Sequence, residues 1–335
     1  MSAGPRPVTL SDVAAVAGVS LSTASKALNG STRISAATRA RIEDAAQRLD
    51  FRPNARAQSF ASGRSHTVGV LAHRAASTFS HPVLIGAVLR LGARELAALV
   101  YDGDRLNRNR LGESIRQLGA RRIDGVLVVG DGHEQRTRSF TADFRAPVVY
   151  AYTATDDPDD LCFLPDNLLA GSLAGRHLMG LGRTRIAHIT AMHESIAVRR
   201  REAGFLRALG AAGLTPAGPT RHGTWTEEWG ARAIDELLVD QPSVEAIFCG
   251  NDHIAFGVLG VLERRGVRVP DDVALIGVDN WEGVILDQGT RRLTSVDPHL
   301  SAIGERSVDA LLDEPGLIGP HYQEPSVVVG ASTGC

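Results

Sequence analysis

The sequence predicts an α/β protein: an all-helical head followed by a larger core of two doubly wound, parallel-sheet lobes. Three observations carry this. Residues 8–64 place a helix, a glycine turn and a second capped helix in quick succession. From Thr67 onward, short and nearly continuous apolar runs alternate with helical patterns. Charge is divided as well. Up to Arg64 nine Arg or Lys face four acids, five in excess, while the whole chain of 335 residues carries −2, leaving −7 for the rest.

In the head, Thr9 with Asp12 forms a capping pair that starts the first helix. Val13, Val16 and Ala17 then recur at helical spacing. Gly18 stops that helix where a left-handed backbone is needed. Ser20 caps the next helix, whose apolar residues include Ala24, Ala27 and Leu28. This is the sequence form of a helix-turn-helix, whose second helix enters the major groove of DNA. A short helical hairpin alone is common; a basic end on an acidic body makes DNA the expected partner. Ser35 caps a third helix running to about Leu49, with Ile42, Ala45, Ala46 and Leu49 on one face, ended by Phe51 and Pro53. NARAQSFASG at 54–63 then has an Asn cap, a few helix formers and a terminating glycine. A helix this short has little stability alone, and at a domain boundary it reads as a linker that orders only in a complex.

The core reads as strands at VGVLA (68–72), AALVY (97–101), DGVLVV (124–129), APVVYAY (146–152), RIAHIT (185–190), EAIFCG (245–250) and VALIGVD (273–279). Helical patterns at 83–95, 108–119, 167–181, 198–212, 227–239 and 252–265 separate them. Strands apolar on both faces mean parallel sheets covered by helices. Two sets of such units, before and after about residue 152, imply two lobes with a cleft between them. In such sheets ligands sit beyond the carboxyl ends of the strands. The helix from about 253 carries Ile254, Phe256, Val258, Leu259 and Leu262, more apolar surface than one sheet face needs.

Composition excludes several classes. Hydrophobic content of 43% with 22% charged residues is that of a soluble globular protein. No stretch of about 18 apolar residues is present, so a membrane span is not expected. MSAGPRPVTL lacks the apolar region of a secretory signal, and a cytoplasmic protein is expected. Cys162, Cys249 and Cys335 are odd in number and far apart, which gives neither a disulfide framework nor zinc spacing. There is no phosphate loop, no GxGxxG opening a helix after a strand, no GxSxG, and no metal spacing among His133, His188 and His193. No catalytic residue, metal or cofactor is therefore expected. An enzyme on the doubly wound core is the alternative from another class. An exported sugar-binding protein is a second, opposed by the missing signal and the basic head.

These motifs resemble the lactose/galactose repressor family of bacterial transcription regulators. The likeness runs over essentially the whole chain. It rests on VTLSDVAAVAGVSLSTASKALNG and TRARIEDAAQRLDFRPN, then RREAGF (200–205), GTW (223–225), NDHIAFG (251–257), VPDDVALIGVDN (269–280) and LTSVD (293–297). The resemblance implies a helix-turn-helix head at 1–53, a hinge helix and linker at 54–66, and a periplasmic-binding-protein-like core at 67–335. Lobe 1 is then expected at about 67–152 plus 298–324, and lobe 2 at about 153–297 plus 325–335. It implies a homodimer on a pseudo-palindromic operator, with the amino-terminal part of the helix from about 253 in the dimer interface, and a small-molecule effector, a sugar or sugar derivative, in the cleft.

By similarity, Leu21, Ser22 and Lys26 read bases, with Ser20, Thr23 and Asn29 nearer the phosphates and Asn54 and Phe60 contacting DNA from the hinge. Cations at the start of a reading helix bind guanine O6 and N7. The bland alternatives are that Leu21 packs inside the head and Ser22 only caps. Phe60 stands where the family usually has leucine, wedged into the minor groove; phenylalanine also serves as a wedge. Its bland alternative is packing on the core. In the cleft, Arg201, Trp225, Asn251 and Asp279 match the family's effector contacts, with Tyr152 and Trp281 at strand ends facing it. Arg and Asp give charged hydrogen bonds to hydroxyls, Asn both donates and accepts, and Trp offers a flat face to sugars or purines. Singly, Arg201 could be solvated, Asn251 a mere helix cap, Trp225 core and Asp279 a loop acid. The chain departs from the family at LGARELAALV, which is shortened, and at Gly330, where arginine is common.

Overall fold

A computed structural model describes residues 8–28, 33–51, 64–72, 79–102, 108–132, 136–285 and 291–334. The chain divides into two compact units, Met1–Ser65 and His66–Cys335. The first holds α1 (Leu10–Val16), α2 (Leu21–Leu28) and α3 (Ala36–Arg48). The capping residues act as the sequence implies. Asp12 Oδ2 accepts from the Thr9 backbone N–H at 2.8 Å and from its hydroxyl at 2.7 Å. Gly18 turns the chain with φ +62°, in the left-handed region. Ser20 Oγ accepts from Thr23 N at 3.1 Å, and Ser35 Oγ from Thr38 N at 3.3 Å. Arg39 Nη1 donates to Ala27 O at 2.8 Å, satisfying a carbonyl that the end of α2 leaves open. The core beneath is built largely from Val13, Ala14, Ala17, Ala24, Ala27, Ile42 and Ala45. Asn29, Asn54, Phe60 and the hinge segment lie outside the described residues.

The second unit holds two six-stranded sheets. The first contains β1 (Thr67–Ala72), β2 (Ala97–Asp102), β3 (Gly125–Val129), β4 (Val148–Ala151), β5 (Cys162–Pro165) and β11 (Pro320–Gln323), in the order β11-β5-β4-β3-β1-β2. The second contains β6 (Ile186–Ala191), β7 (Arg221–Gly223), β8 (Ala246–Cys249), β9 (Ala274–Val278), β10 (Thr294–Asp297) and β12 (Ser326–Val328), in the order β12-β10-β9-β8-β6-β7. Every pairing is parallel except β10 with β12. The first sheet is covered by α4 (His81–Ala93), α5 (Arg108–Ala120) and α11 (Leu300–Asp313). Alternation along β1 shows why: Val68 and Val70 pack towards α4 and α11, while Leu71 packs with Leu118 of α5. The second sheet is covered by α6 (Asn167–Gly180), α7 (Ile196–Ala211), α8 (Glu227–Asp240) and α9 (Asp252–Arg264), with the short α10 (Trp281–Ile285) after β9. The chain passes between the sheets at 165–167, 297–300 and 323–326.

Two expectations are corrected here. The lobe boundary placed near residue 152 falls later, because β5 pairs with β4 and β11 in the first sheet. A four-residue strand ending in proline, behind the acidic stretch DDPDD, carries too little apolar signal to stand out. The apolar surplus on α9 is consumed within the subunit. Ile254, Val258 and Leu262 are fully buried against α8 and the sheet, and Phe256 is half-buried. Exposed apolar side chains group on α4 and β2, with Ile85 at 55%, Leu89 at 67% and Val100 at 47% exposed, while others such as Val239 of α8 stand singly. Among the described residues no helix is long and apolar enough to cross a membrane.

Candidate functional site

The head presents one face of α2 to solvent. Ala24 and Ala27 are buried, while Ser20, Leu21, Ser22 and Lys26 are exposed. Leu21 is 53% exposed, so it does not pack inside the head. Ser20 and Thr23 are tied to each other, their hydroxyls 2.8 Å apart, and both belong to the cap. That leaves Leu21, Ser22 and Lys26 as an apolar, a polar and a cationic group on the leading turns. This set suits base edges in a groove.

In the core, two glycines bring α6 and α7 together. A Cβ on Gly171 would lie 1.8 Å from Arg201 O, and one on Gly204 would lie 1.9 Å from Leu168 O. This close crossing holds Arg201 beneath the carboxyl ends of the second sheet. Its side chain is buried, yet its donors are directed: Nε to Asn167 Oδ1 at 2.8 Å and Nη1 to Gly250 O at 2.6 Å. Nη2 stands 3.8 Å from Asp279 Oδ1, close enough for charge attraction and too far for a hydrogen bond. A hydroxyl can bridge such a gap. Trp225 packs on the lobe's core and also offers its face to Arg201, whose Cζ lies 5.7 Å from the ring. Asn251 is indeed a helix cap, its Oδ1 accepting from Ile254 N at 2.9 Å. That bond fixes the amide's orientation and leaves Nδ2 buried without a protein partner. Both readings of Asn251 therefore hold together.

Tyr152 ends β4 on the first sheet with φ +60° and is buried. Its hydroxyl is held above the ordinary value by burial, and by Asp279, against an opposing pull from Arg201. The expected residues of the two lobes thus act on one another. Trp281 has different company. Its ring lies 5.4 Å from His253 and 6.4 Å from Phe79. It also lines a cavity of about 350 Å³ with Glu227, Phe256, Gly260, Glu263 and Arg292. Sequence reasoning passed over Asn167, which orients Arg201; Asp252, which it weighed only as a helix cap, is buried and accepts from Trp281 N and Ser295 Oγ, both at 2.7 Å. Phe79 of the first lobe was passed over too. Asn167 and Asp252 both sat at recognisable helix starts, whereas Phe79 had no such signal.

Two buried groups make the core's stability depend on pH in opposite senses. Burial pushes the Asp279 carboxyl up to about 6, with Arg201 opposing and Asp297 assisting. Its folded state binds a proton more tightly than the unfolded chain, so stability falls as pH rises from about 4 to about 6. His188 lies flat on Phe248, ring centres 4.4 Å apart, and its Nδ1 is 2.9 Å from Phe248 O. Burial lowers its pKa to about 4. Its stability contribution is present above about 6.5 and is lost as pH falls through that window. Each effect is worth roughly 3 kcal/mol, and Asp252, whose carboxyl burial also raises well above its ordinary value, acts in the same sense as Asp279. Asp279→Asn is expected to unmask His188: urea unfolding should show stability rising between pH 4 and 6.5 more steeply than in the parent protein, by roughly 3 kcal/mol. Parallel pH profiles for the two proteins would show that Asp279 titrates normally.

Comparison with known proteins matches both units. Residues 9–54 fit the model for bacterial regulatory proteins of the lacI family, and residues 176–333 fit a periplasmic binding protein-like domain. The ribose operon repressor of Escherichia coli (strain K12) is 31% identical over 306 residues, covering 91% of this chain and 92% of that protein. The HTH-type transcriptional regulator GntR of Pseudomonas aeruginosa is 33% identical, covering 91% and 88%. Among solved structures, a lac repressor dimer bound to operator and the anti-inducer ONPF superposes with TM-score 0.75 at 24% identity, covering 98% of this chain and 100% of that one. A complex of the transcriptional regulator CelR with cellobiose gives 0.62 at 28% identity, with the same coverage.

Proposed function

Because this chain belongs to the lacI family of bacterial regulatory proteins, we propose that it is a cytoplasmic transcriptional repressor whose operator affinity is set by a sugar or sugar derivative bound between its lobes. The observation that carries this is the pairing, in one chain, of an exposed polar reading helix with a buried, incompletely satisfied polar cluster in a separate core. Leu21, Ser22 and Lys26 read bases, and residues 54–66 link the head to the core. Arg201, Asp279, Asn251 and Trp225 take the effector, with Tyr152 as the first lobe's contribution. The ribose and cellobiose in the names of two relatives support a carbohydrate. Two copies associate through the exposed apolar face of α4 and β2, and their two-fold symmetry suits a palindromic site. The effector acts by binding one lobe arrangement more tightly than the other. The relatives are regulators by name, and the enzymatic alternative draws no support from them.

The experiment is operator selection from random DNA with the purified chain, followed by a thermal-shift screen of pentoses, hexoses, disaccharides and purines. One sugar is expected to raise the melting temperature and change affinity for the selected operator. A response to purines alone would replace the effector class. A sugar that raises melting temperature and leaves operator affinity untouched would reject regulation through the cleft.

A further inference from the structure

The Arg201–Asp279 pair is connected on both sides to the three chain passages between the lobes. On one side, Arg201 Nε donates to Asn167 Oδ1, and Asn167 closes the passage at 165–167 and opens α6. On the other, Asp279 is followed by Asn280, whose Nδ2 donates to Asp297 Oδ2 at 2.8 Å. Asp297 ends β10 at the second passage, and its Oδ1 accepts from His299 N at 2.7 Å. The His299 ring spans the second and third passages, with Nδ1 3.5 Å from Asp297 Oδ2 and Nε2 2.9 Å from Ser326 Oγ.

Strain lies along the same route. Asp279, Asn280 and His299 have φ of +104°, +51° and +52°, where side-chain-bearing residues seldom sit. Such backbone persists only where surrounding contacts over-determine it. Here those contacts are the hydrogen bonds just named, together with Asn280 N to Ser295 Oγ at 2.9 Å and the Arg291 guanidinium on Asn280 Oδ1. Hinge motion is absorbed by a few residues at element ends through changes in φ and ψ. His299 stands between β10 and α11, at such an end.

We propose that His299 is a positioning residue that couples the Asp279 pocket to the lobe hinge, through Asn280 and Asp297 on one side and Ser326 on the other. A shift of the Asp279–Asn280 backbone changes the hold on Asp297, and with it the conformation His299 keeps across two passages. The inference rests on reading Asp279 as an effector residue, but its test needs no effector.

Spin labels on Arg116→Cys and Val239→Cys report the distance between lobes in the full chain, with Cys335→Ser removing a competing thiol. The two labelled side chains are 70% and 76% exposed, on α5 and α8. His299→Gly and Asn280→Gly remove the side chains while suiting the positive φ, so neither adds backbone strain. Each is expected to broaden the label distance distribution and shift its mean. The double variant should be no broader than the broader single one, because both cut one route. Ser326→Ala should shift the distribution in the same direction, by less. A His299→Gly protein that melts earlier with an unchanged distribution has lost only a structural contact, and the proposal fails. It fails as well if the two glycine variants broaden the distribution additively. A negative sugar screen would count against the effector reading and leave this result standing.

Discussion

Arg201→Ala is expected to abolish effector binding and to destabilise the core by about 3–5 kcal/mol at neutral pH, the cost of removing one partner from a buried charge pair. The variant leaves Asn167 Oδ1 and Gly250 O without their donor and Asp279 without its cation. Urea unfolding of the core and a thermal-shift titration with the sugar found by screening measure the two losses separately. The stability loss should shrink near pH 5, because Asp279, already pushed up to about 6, then carries a proton and no longer needs a cation. Arg201→Lys keeps the charge without the planar fork, so it should recover part of the stability and little of the binding. Stability and binding both close to those of the parent protein would mean that this guanidinium is solvated and has no part in the site.

Lys26→Ala should cost about 1–3 kcal/mol of operator discrimination, the worth of one good base contact. The comparison is with random DNA of equal length at fixed salt, since phosphate contacts alone set the salt dependence. Leu21→Ala should also lower discrimination, with no change in the head's stability beyond that of an exposed position. Equal losses on operator and random DNA would place Lys26 on phosphates only. A destabilised head in Leu21→Ala would contradict its exposure.

The accuracy of the sequence reading follows the range of each interaction. Thr9, Asp12, Gly18, Ser20 and Ser35 act within a few residues of themselves, and all cap or turn the chain as read. The seven apolar runs became strands for the same reason: six are buried on both faces and so apolar nearly throughout, and β2 at the sheet edge is apolar though part-exposed. β5, β7 and β12 are three or four residues long and draw their stability from neighbours, so they left little local trace. The α9 stripe was legible as apolar, but its composition cannot say whether its own subunit or another covers it. Packing against α8 and the sheet covers Ile254, Val258 and Leu262 within the subunit and leaves Phe256 half-buried.

The polar cluster divides the same way. That Arg201, Trp225, Asn251 and Asp279 were candidates for one site was legible from residue type and motif order. Their geometry was not. Asn167 reaches Arg201 across 34 positions, and Ser326 reaches His299 across 27. By itself the sequence determined the element types, the capped helices of the head and the division into head and core, because propensity, capping and periodicity act over a few residues. The tertiary structure alone decided where the lobes divide, which donors stay unsatisfied and which hydrogen bonds run from Arg201 and Asp279 to the passages between the sheets, because hydrogen bonds and burial between distant segments exist only after the chain has closed on itself.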